Sequence, residues 1–323
     1  MTPAEILAAL PGLSALVVGD ICLDRWCTYD PELCEASRET QIPRVAVVRT
    51  EVTAGAGGTV ANNLVALGLR HVAVLGAVGE DGHGYELARA LEKRQISSEM
   101  LVHVPEIQTF TYTKLINVST GIEDQPRVDF ISRPHNVDEK LIDRLHQDVE
   151  KFDVIFIADQ AETSFGGVIT AALRNRLGEL AQKHPDKVFW ADSRARMELF
   201  RHVVIKGNRD EAEAASYRAL GCCDMSGLRE YCETGLLVVT EGPEGARIVD
   251  SAGEHFCKTK PIPNPVDICG AGDAFSAGAA PALALTRSPI EAVQFGNLVA
   301  SITIMKPGTG TASPEEVLEA VGA

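Results

Sequence analysis

Asp267-Ile268-Cys269-Gly270-Ala271-Gly272-Asp273-Ala274-Phe275 places a carboxylate in the first turn of a helix, behind three residues with almost no side chain. The Ala-rich run continuing to Leu285 predicts that helix, and Gly270, Ala271 and Gly272 leave backbone N–H groups open to approach at its entry. An anion can sit on such a turn, because the N–H groups and the helix dipole both favour negative charge. Asp273 would then face whatever the N–H groups hold, a placement suited to a base that takes a proton from a hydroxyl beside a phosphate. The same residues also fit a plain Gly-rich helix entry with a dipole-favoured Asp. The flanking chain has to separate the two.

Working outward, short β-branched runs alternate with helical patterns. Ala15–Val18, Val72–Leu75, Val154–Ile157, Val188–Trp190, Val203–Ile205 and Leu236–Val239 read as fully buried strands. Helices are predicted over about 59–67, 84–94, 138–149, 167–183 and 210–220. This alternation argues for a mainly parallel sheet covered on both faces, a three-layer α/β/α fold in one domain spanning 1–323. Two stretches break the rhythm, at about 22–52 and 109–133. There Thr111–Ile116 and Arg127–Ile131 alternate apolar with polar, the pattern of strands with one wet face. A small separate sheet is expected, serving as a lid over a ligand crevice or as a surface through which two copies pair.

In open parallel sheets ligands bind beyond the carboxyl ends of the strands. Gly19, Asp20 and Asp24 follow the first run; Gly76, Gly79, Glu80, Asp81 and Gly82 the second; Asp159, Asp192, Asn208 with Glu211, and Thr240-Glu241-Gly242 the later ones. A lone Asp at such a place is more often a solvated loop or cap residue, but here carboxylates recur along one edge. Asn208 and Glu211, three apart at a helix start, can orient a hydrated Mg²⁺ or simply form a capping box. Gly55-Ala56-Gly57-Gly58-Thr59 is a second Gly-rich helix entry, without the Lys-Ser/Thr ending of a P-loop or the spacing of a dinucleotide fingerprint.

The chain has 323 residues, 45% of them apolar, and 45 acidic against 30 basic side chains, for a net charge of −15. With no Lys/Arg-rich run, nucleic acid is not an expected partner. No apolar run approaches the roughly 20 residues of a membrane span, and residues 1–11 lack the charged start of a secretory signal. A cytoplasmic protein with no membrane partner is expected. Its eight cysteines show no zinc spacing, so reduced thiols are expected.

Together these residues resemble the ribokinase/phosphofructokinase-B family of sugar kinases, with a likeness running from Val17 to Val317. The resemblance implies a ribokinase-like fold, ATP and Mg²⁺, and a small-molecule sugar or sugar-phosphate substrate. It implies that Gly270, Ala271 and Gly272 form the anion hole, that Asp273 is the catalytic base, and that Glu211 and Asp267 lie at cation sites. Near Asp267 the family commonly holds a monovalent cation such as K⁺. Asp24, Gly55 and Thr59 would meet the sugar. Asn208, Glu211, Thr240, Gly242, Gly245, Asn297 and Gly308 would meet the nucleotide side. Gly19-Asp20-Ile21-Cys22-Leu23-Asp24-Arg25, Ser37-x-Glu39, Ile42-Pro43 and Thr113-Lys114 with Arg127-x-Asp129 are similar to the heptose-7-phosphate kinase domains of bifunctional enzymes within the family. Lys114, Arg127, Arg25 and Arg133 would then be cations for a substrate phosphate.

Two positions depart from the family pattern. Thr59 stands where an Asn usually holds sugar hydroxyls, unless the alignment shifts to Asn62, and Ile268 replaces a common Thr. The reading is an ATP-dependent kinase acting on a sugar or sugar-phosphate hydroxyl, against a nucleoside kinase of the same fold or a catalytically idle ligand-binding protein.

Overall fold

The computed structural model describes residues 1–132, 137–160 and 167–322. In chain order its strands are β1 (Ser14–Gly19), β2 (Ile21–Tyr29), β3 (Val47–Ala56), β4 (His71–Leu75), β5 (Ala77–Gly79), β6 (Val102–Val104) and β7 (Thr111–Asn117). They continue with β8 (Val128–Phe130), β9 (Val154–Asp159), β10 (Val188–Ser193), β11 (Val204–Asn208), β12 (Leu237–Thr240), β13 (Gly245–Asp250) and β14 (Gly253–Lys258). The helices are α1 (Pro3–Ala9), α2 (Gly57–Ala66), α3 (Gly82–Lys93), α4 (Asp138–Asp148), α5 (Ala171–Lys183), α6 (Arg209–Leu220), α7 (Met225–Tyr231), α8 (Ala271–Thr286), α9 (Pro289–Thr303) and α10 (Pro314–Gly322).

The six apolar runs become the six parallel strands of an eight-stranded sheet of order β14-β13-β12-β11-β10-β9-β1-β4. Successive side chains of a strand point to opposite faces, and both faces are covered. Ala15 and Val17 join the core formed with α1, α2, α8, α9 and α10, whereas Leu16 and Val18 join the one formed with α4, α5, α6 and α7. Each fully buried Leu, Ile or Phe contributes about 1.5–3 kcal/mol, which is why these strands read as unbroken apolar runs. The order reverses between β1 and β9, so the chain segments leaving these two strands diverge and open a crevice at the carboxyl edge.

The edge hairpin β13–β14 is antiparallel and was not legible in advance, since its outer strand carries exposed polar residues such as Glu254 and His255. Helix α9 also escaped prediction, although Ser288 caps it, Pro289 starts it and Glu291 lies in its first turn. Both irregular stretches supply strands to a four-stranded sheet of order β3-β2-β7-β8, antiparallel except between β2 and β7. Val47, Val48, Val52 and Val128 stay exposed on it. All eight cysteines are free thiols, and among the described residues no helix is long and apolar enough to cross a membrane.

Candidate active site

Helix α8 begins as the Gly270-Ala271-Gly272 turn requires. Gly270 takes the left-handed conformation (φ 77°) that favours glycine, and no side chain caps the helix. The Ala271 N–H is taken up by Ile268 O at 3.2 Å, so of the three expected donors Gly270 and Gly272 are left to face a ligand. Gly272 has a second reason to lack a side chain: a Cβ there would lie 2.8 Å from the Lys206 ammonium.

That ammonium is the main feature the sequence reading missed. Lys206 sits inside β11, 4% exposed, and donates to Asp192 Oδ2 at 2.7 Å. The two are register partners on adjacent strands. Burial opposes the charge on Lys206, but the Asp192 carboxylate beside it prevails and holds its pKa above the usual lysine value. A lysine in an otherwise apolar strand, two residues before Asn208, was the available signal.

Two clefts meet at Asp273. The larger, about 320 Å³, is lined by Asp192, Lys206, Asn208, Glu211, Thr240, Gly242, Gly245, Gly272 and Asn297 among others. The smaller, about 160 Å³, is lined by Asp24, Arg25, Trp26, Thr59, Tyr112, Lys114, Arg127 and Thr309 among others. Gln160, Arg194, Gly270 and Asp273 line both. Burial pushes the Asp273 carboxyl up to about 7; Asp192 and Asp24 add to the rise, and Lys206 and Arg194 oppose it. A carboxylate poised near neutrality between two ligand volumes is the arrangement general base catalysis requires.

In the larger cleft Asn208 and Glu211 form the reciprocal capping box of α6, Asn208 N–H donating to Glu211 Oε2 at 2.7 Å and Glu211 N–H to Asn208 Oδ1 at 2.9 Å. The capping box is therefore present, and both residues also line the cleft. Burial raises the Glu211 pKa, against the Asn208 N–H and the Lys206 charge. No cluster of three metal-binding side chains occurs among the described residues.

Asp267, expected beside a monovalent cation, and Gly308, expected at the nucleotide, do not line the larger cleft. Asp267 does not line the cleft: its Oδ1 accepts from Cys269 N at 2.8 Å and its Oδ2 from Gly308 N at 3.0 Å, so it ties two loops together. Gly308 sits beside Trp26, where a Cβ would be 3.8 Å from the indole ring, and not among the residues lining the larger cleft. Asn297 does line that cleft, its amide 3.5 Å from Cys257 O.

In the smaller cleft Gly55 supports Asp24 without lining the space. A Cβ on Gly55 would fall 2.4 Å from the Asp24 carboxylate, so only glycine lets that carboxylate lie against β3. Burial raises the Asp24 carboxyl to about 6, against the pull of Lys114 and Arg127. The structure also separates Thr59 from Asn62. Thr59 lines the cleft, whereas Asn62 donates to Ala54 O at 3.1 Å and Thr53 Oγ1 at 3.3 Å, holding the end of β3.

The cations are built into the sheet. Lys114 lies over the Trp26 ring at 4.6 Å and Arg127 over the Tyr112 ring at 5.1 Å. Arg127 also donates to Asp129 at 2.7 Å, and Arg25 lies 3.2 Å from Glu86. Arg133 lies outside the described residues.

Of the other strand-edge acids, Asp81 caps α3 by accepting from Gly84 N at 2.7 Å, and Asp159 pairs with Arg196 and Ser193. Asp20 accepts from Gln160 N at 2.9 Å and Val168 N at 2.7 Å, across the point where the strand order reverses.

Comparison with known proteins places the chain and its fold. The chain is 30% identical over 328 residues to the Bifunctional protein HldE of Geobacter sulfurreducens, covering 98% of this chain and 65% of that protein. It is 30% identical over 322 residues to the HldE of Trichlorobacter lovleyi, covering 96% and 63%. The chain thus spans slightly less than two thirds of the length of these relatives. Ribokinase from Thermotoga maritima shares the fold with a TM-score of 0.72 at 19% identity, over 96% of this chain and 100% of that one. Phosphofructokinase-2 from Escherichia coli, crystallised in complex with potassium, does so at 0.70 and 17%, over 96% and 98%. The family model described as pfkB family carbohydrate kinase matches residues 14–316, and the chain belongs to that family.

Proposed function

We propose that this protein transfers the γ-phosphoryl group of ATP to a hydroxyl of a phosphorylated sugar, with a heptose 7-phosphate as the best-fitting acceptor. The observation that carries the reading is Asp273 at the junction of two clefts, one lined by Lys206 and Gly272 and the other by Asp24, Lys114 and Arg127. Asp24 orients the acceptor by accepting from its hydroxyls. Asp273 takes the proton of the reacting hydroxyl as its oxygen bonds the γ-phosphorus and the bond to the β-phosphate oxygen breaks. The turn amides, Lys206 and Arg194 stabilise charge on the phosphoryl oxygens. Mg²⁺, bound with ATP, supplies further charge neutralisation, and the Asn208–Glu211 pair is the part of the cleft that fits it. The four-stranded sheet lies over the acceptor and limits water access.

The acceptor end carries Lys114, Arg127 and Arg25, each beside a carboxylate (Glu123, Asp129 and Glu86), and a substrate bearing its own phosphate could engage these cations. A nucleoside acceptor needs open aromatic faces for its base. Trp26 and Tyr112 are present, but each has a face covered by Lys114 or Arg127. The Burkholderia thailandensis nucleoside kinase shares the fold at 16% identity, which bears on the fold alone.

ADP release with matched acceptors tests the reading. Heptose 7-phosphate is expected to exceed the unphosphorylated heptose in kcat/KM by about 10²-fold, with most of that preference lost in Lys114→Ala. Equal use of both acceptors, or turnover of nucleosides alone, sinks the sugar-phosphate assignment; acceptor binding without ADP release would instead identify an idle ligand-binding protein.

A further inference from the structure

The turn carrying Gly242 and Gly245 is held by an ion cluster around the buried Glu241 carboxylate, which has no part in the chemistry above. Asn208 and Thr240 are register partners on β11 and β12, and both line the larger cleft. The next residue of each, Arg209 and Glu241, lines a separate cavity of about 300 Å³, and there Arg209 Nη2 donates to Glu241 Oε2. Arg247 on β13 donates from Nε to Glu241 Oε1 at 3.0 Å and from Nη1 to Glu254 Oε2 at 2.8 Å. Arg209 also reaches Glu244 at 3.2 Å.

The Glu241 side chain is 4% exposed, and a carboxylate so buried persists only when paired and hydrogen-bonded. Its backbone closes the turn, with Glu241 N donating to Gly245 O at 2.8 Å and Glu244 N to Glu241 O at 3.3 Å. With both carboxylate oxygens fixed by guanidinium groups, Glu241 cannot swing. Gly242 (φ 57°) and Gly245 (φ 124°) would otherwise leave this backbone free to sample other conformations.

We propose that Arg209, Glu241 and Arg247 form a positioning clamp that preorganises the 240–245 turn for the nucleotide, setting its affinity without touching it. The proposal rests on the larger cleft being the ATP end. A turn already in its bound shape loses less conformational freedom when the ligand arrives, so the clamp acts on nucleotide affinity and not on the acceptor.

Calorimetric titration with ADP tests this on the wild-type protein, Glu241→Gln, Arg209→Met and Arg209→Lys, with acceptor KM and thermal midpoint measured on each. Glu241→Gln and Arg209→Met are expected to weaken ADP binding about tenfold. Arg209→Lys should recover most of that loss, and acceptor KM should stay at its wild-type value, while the midpoint falls by only a few degrees in the Arg209 variants because Arg247 still pairs with Glu241. Arg209 is half exposed (48%), so its replacement leaves no buried hole. Unchanged ADP affinity in both Glu241→Gln and Arg209→Met overturns the clamp, as does a loss of ADP affinity accompanied by equal losses in acceptor KM and midpoint. Failure of the wild-type protein to bind ADP overturns the ATP reading, and the clamp with it.

Discussion

Asp273→Asn lowers kcat by about 10³-fold, the scale of a lost general base, while ADP binds as in the wild type. The amide keeps the shape of the carboxylate and its place in the first turn of α8 but cannot accept the hydroxyl proton. The effect should appear in kcat more than in either KM, because the interaction is made as the proton moves. Its pH signature follows from the environment of the carboxyl. Burial first, then Asp192 and Asp24, raise its pKa to about 7, against Lys206 and Arg194. The base is therefore protonated and idle below that pH. In the free wild-type enzyme kcat/KM should rise with pH, about tenfold per unit, and level off above about 7. Asp273→Asn should lose this limb. Turnover within a few-fold of wild type, or an unchanged acid limb, contradicts the assignment.

Lys206→Met has the second largest expected effect, and it acts on two quantities. Removing the ammonium takes a fixed positive charge from beside Gly272, for an expected kcat loss of about 10²–10³-fold. It also leaves Asp192 buried without its partner at 2.7 Å, a break that costs about 3–5 kcal/mol of stability. Adding Asp192→Asn separates the two roles. The double variant should regain most of the thermal midpoint, because no charge is then stranded, but none of the turnover. Since Lys206 lowers the Asp273 pKa, the acid limb of Lys206→Met should also move to higher pH. Recovery of activity along with stability in the double variant would reduce Lys206 to a structural role.

Much of this was legible in the chain because the relevant physics is local. The parallel strands announce themselves as unbroken apolar runs, since both of their faces are buried, and the four-stranded sheet as period-two alternation, since one face is wet. The Gly270–Gly272 helix entry is visible because only residues with little or no side chain permit it. Lys206 was hidden for the opposite reason. Its role depends on a neighbour fourteen positions earlier in the chain, brought alongside by the pairing of β10 with β11, and nothing in its local sequence records that pairing.

Trp26 and Tyr112 were hidden in the same way, because their work as platforms under Lys114 and Arg127 depends on which strands lie side by side. Asp267 and Gly308 show a use that residue type alone does not reveal. Both carry family-like residue types, but in this chain they bond each other: the motif fixed the residues and the loop geometry fixed the use. That Thr59 lines the cleft while the end of β3 takes up the Asn62 amide depends on how β3 meets α2 and could be seen only in the structure.

The central claim is a phosphoryl transfer from ATP to the hydroxyl of a sugar phosphate, and ³¹P NMR of the wild-type protein with Mg²⁺, ATP and heptose 7-phosphate tests it most directly. The account predicts a new phosphate-ester resonance that grows in step with ADP, with no matching growth of inorganic phosphate. ADP accompanied only by inorganic phosphate, or no consumption of ATP with heptose 7-phosphate or any other sugar phosphate, would contradict it.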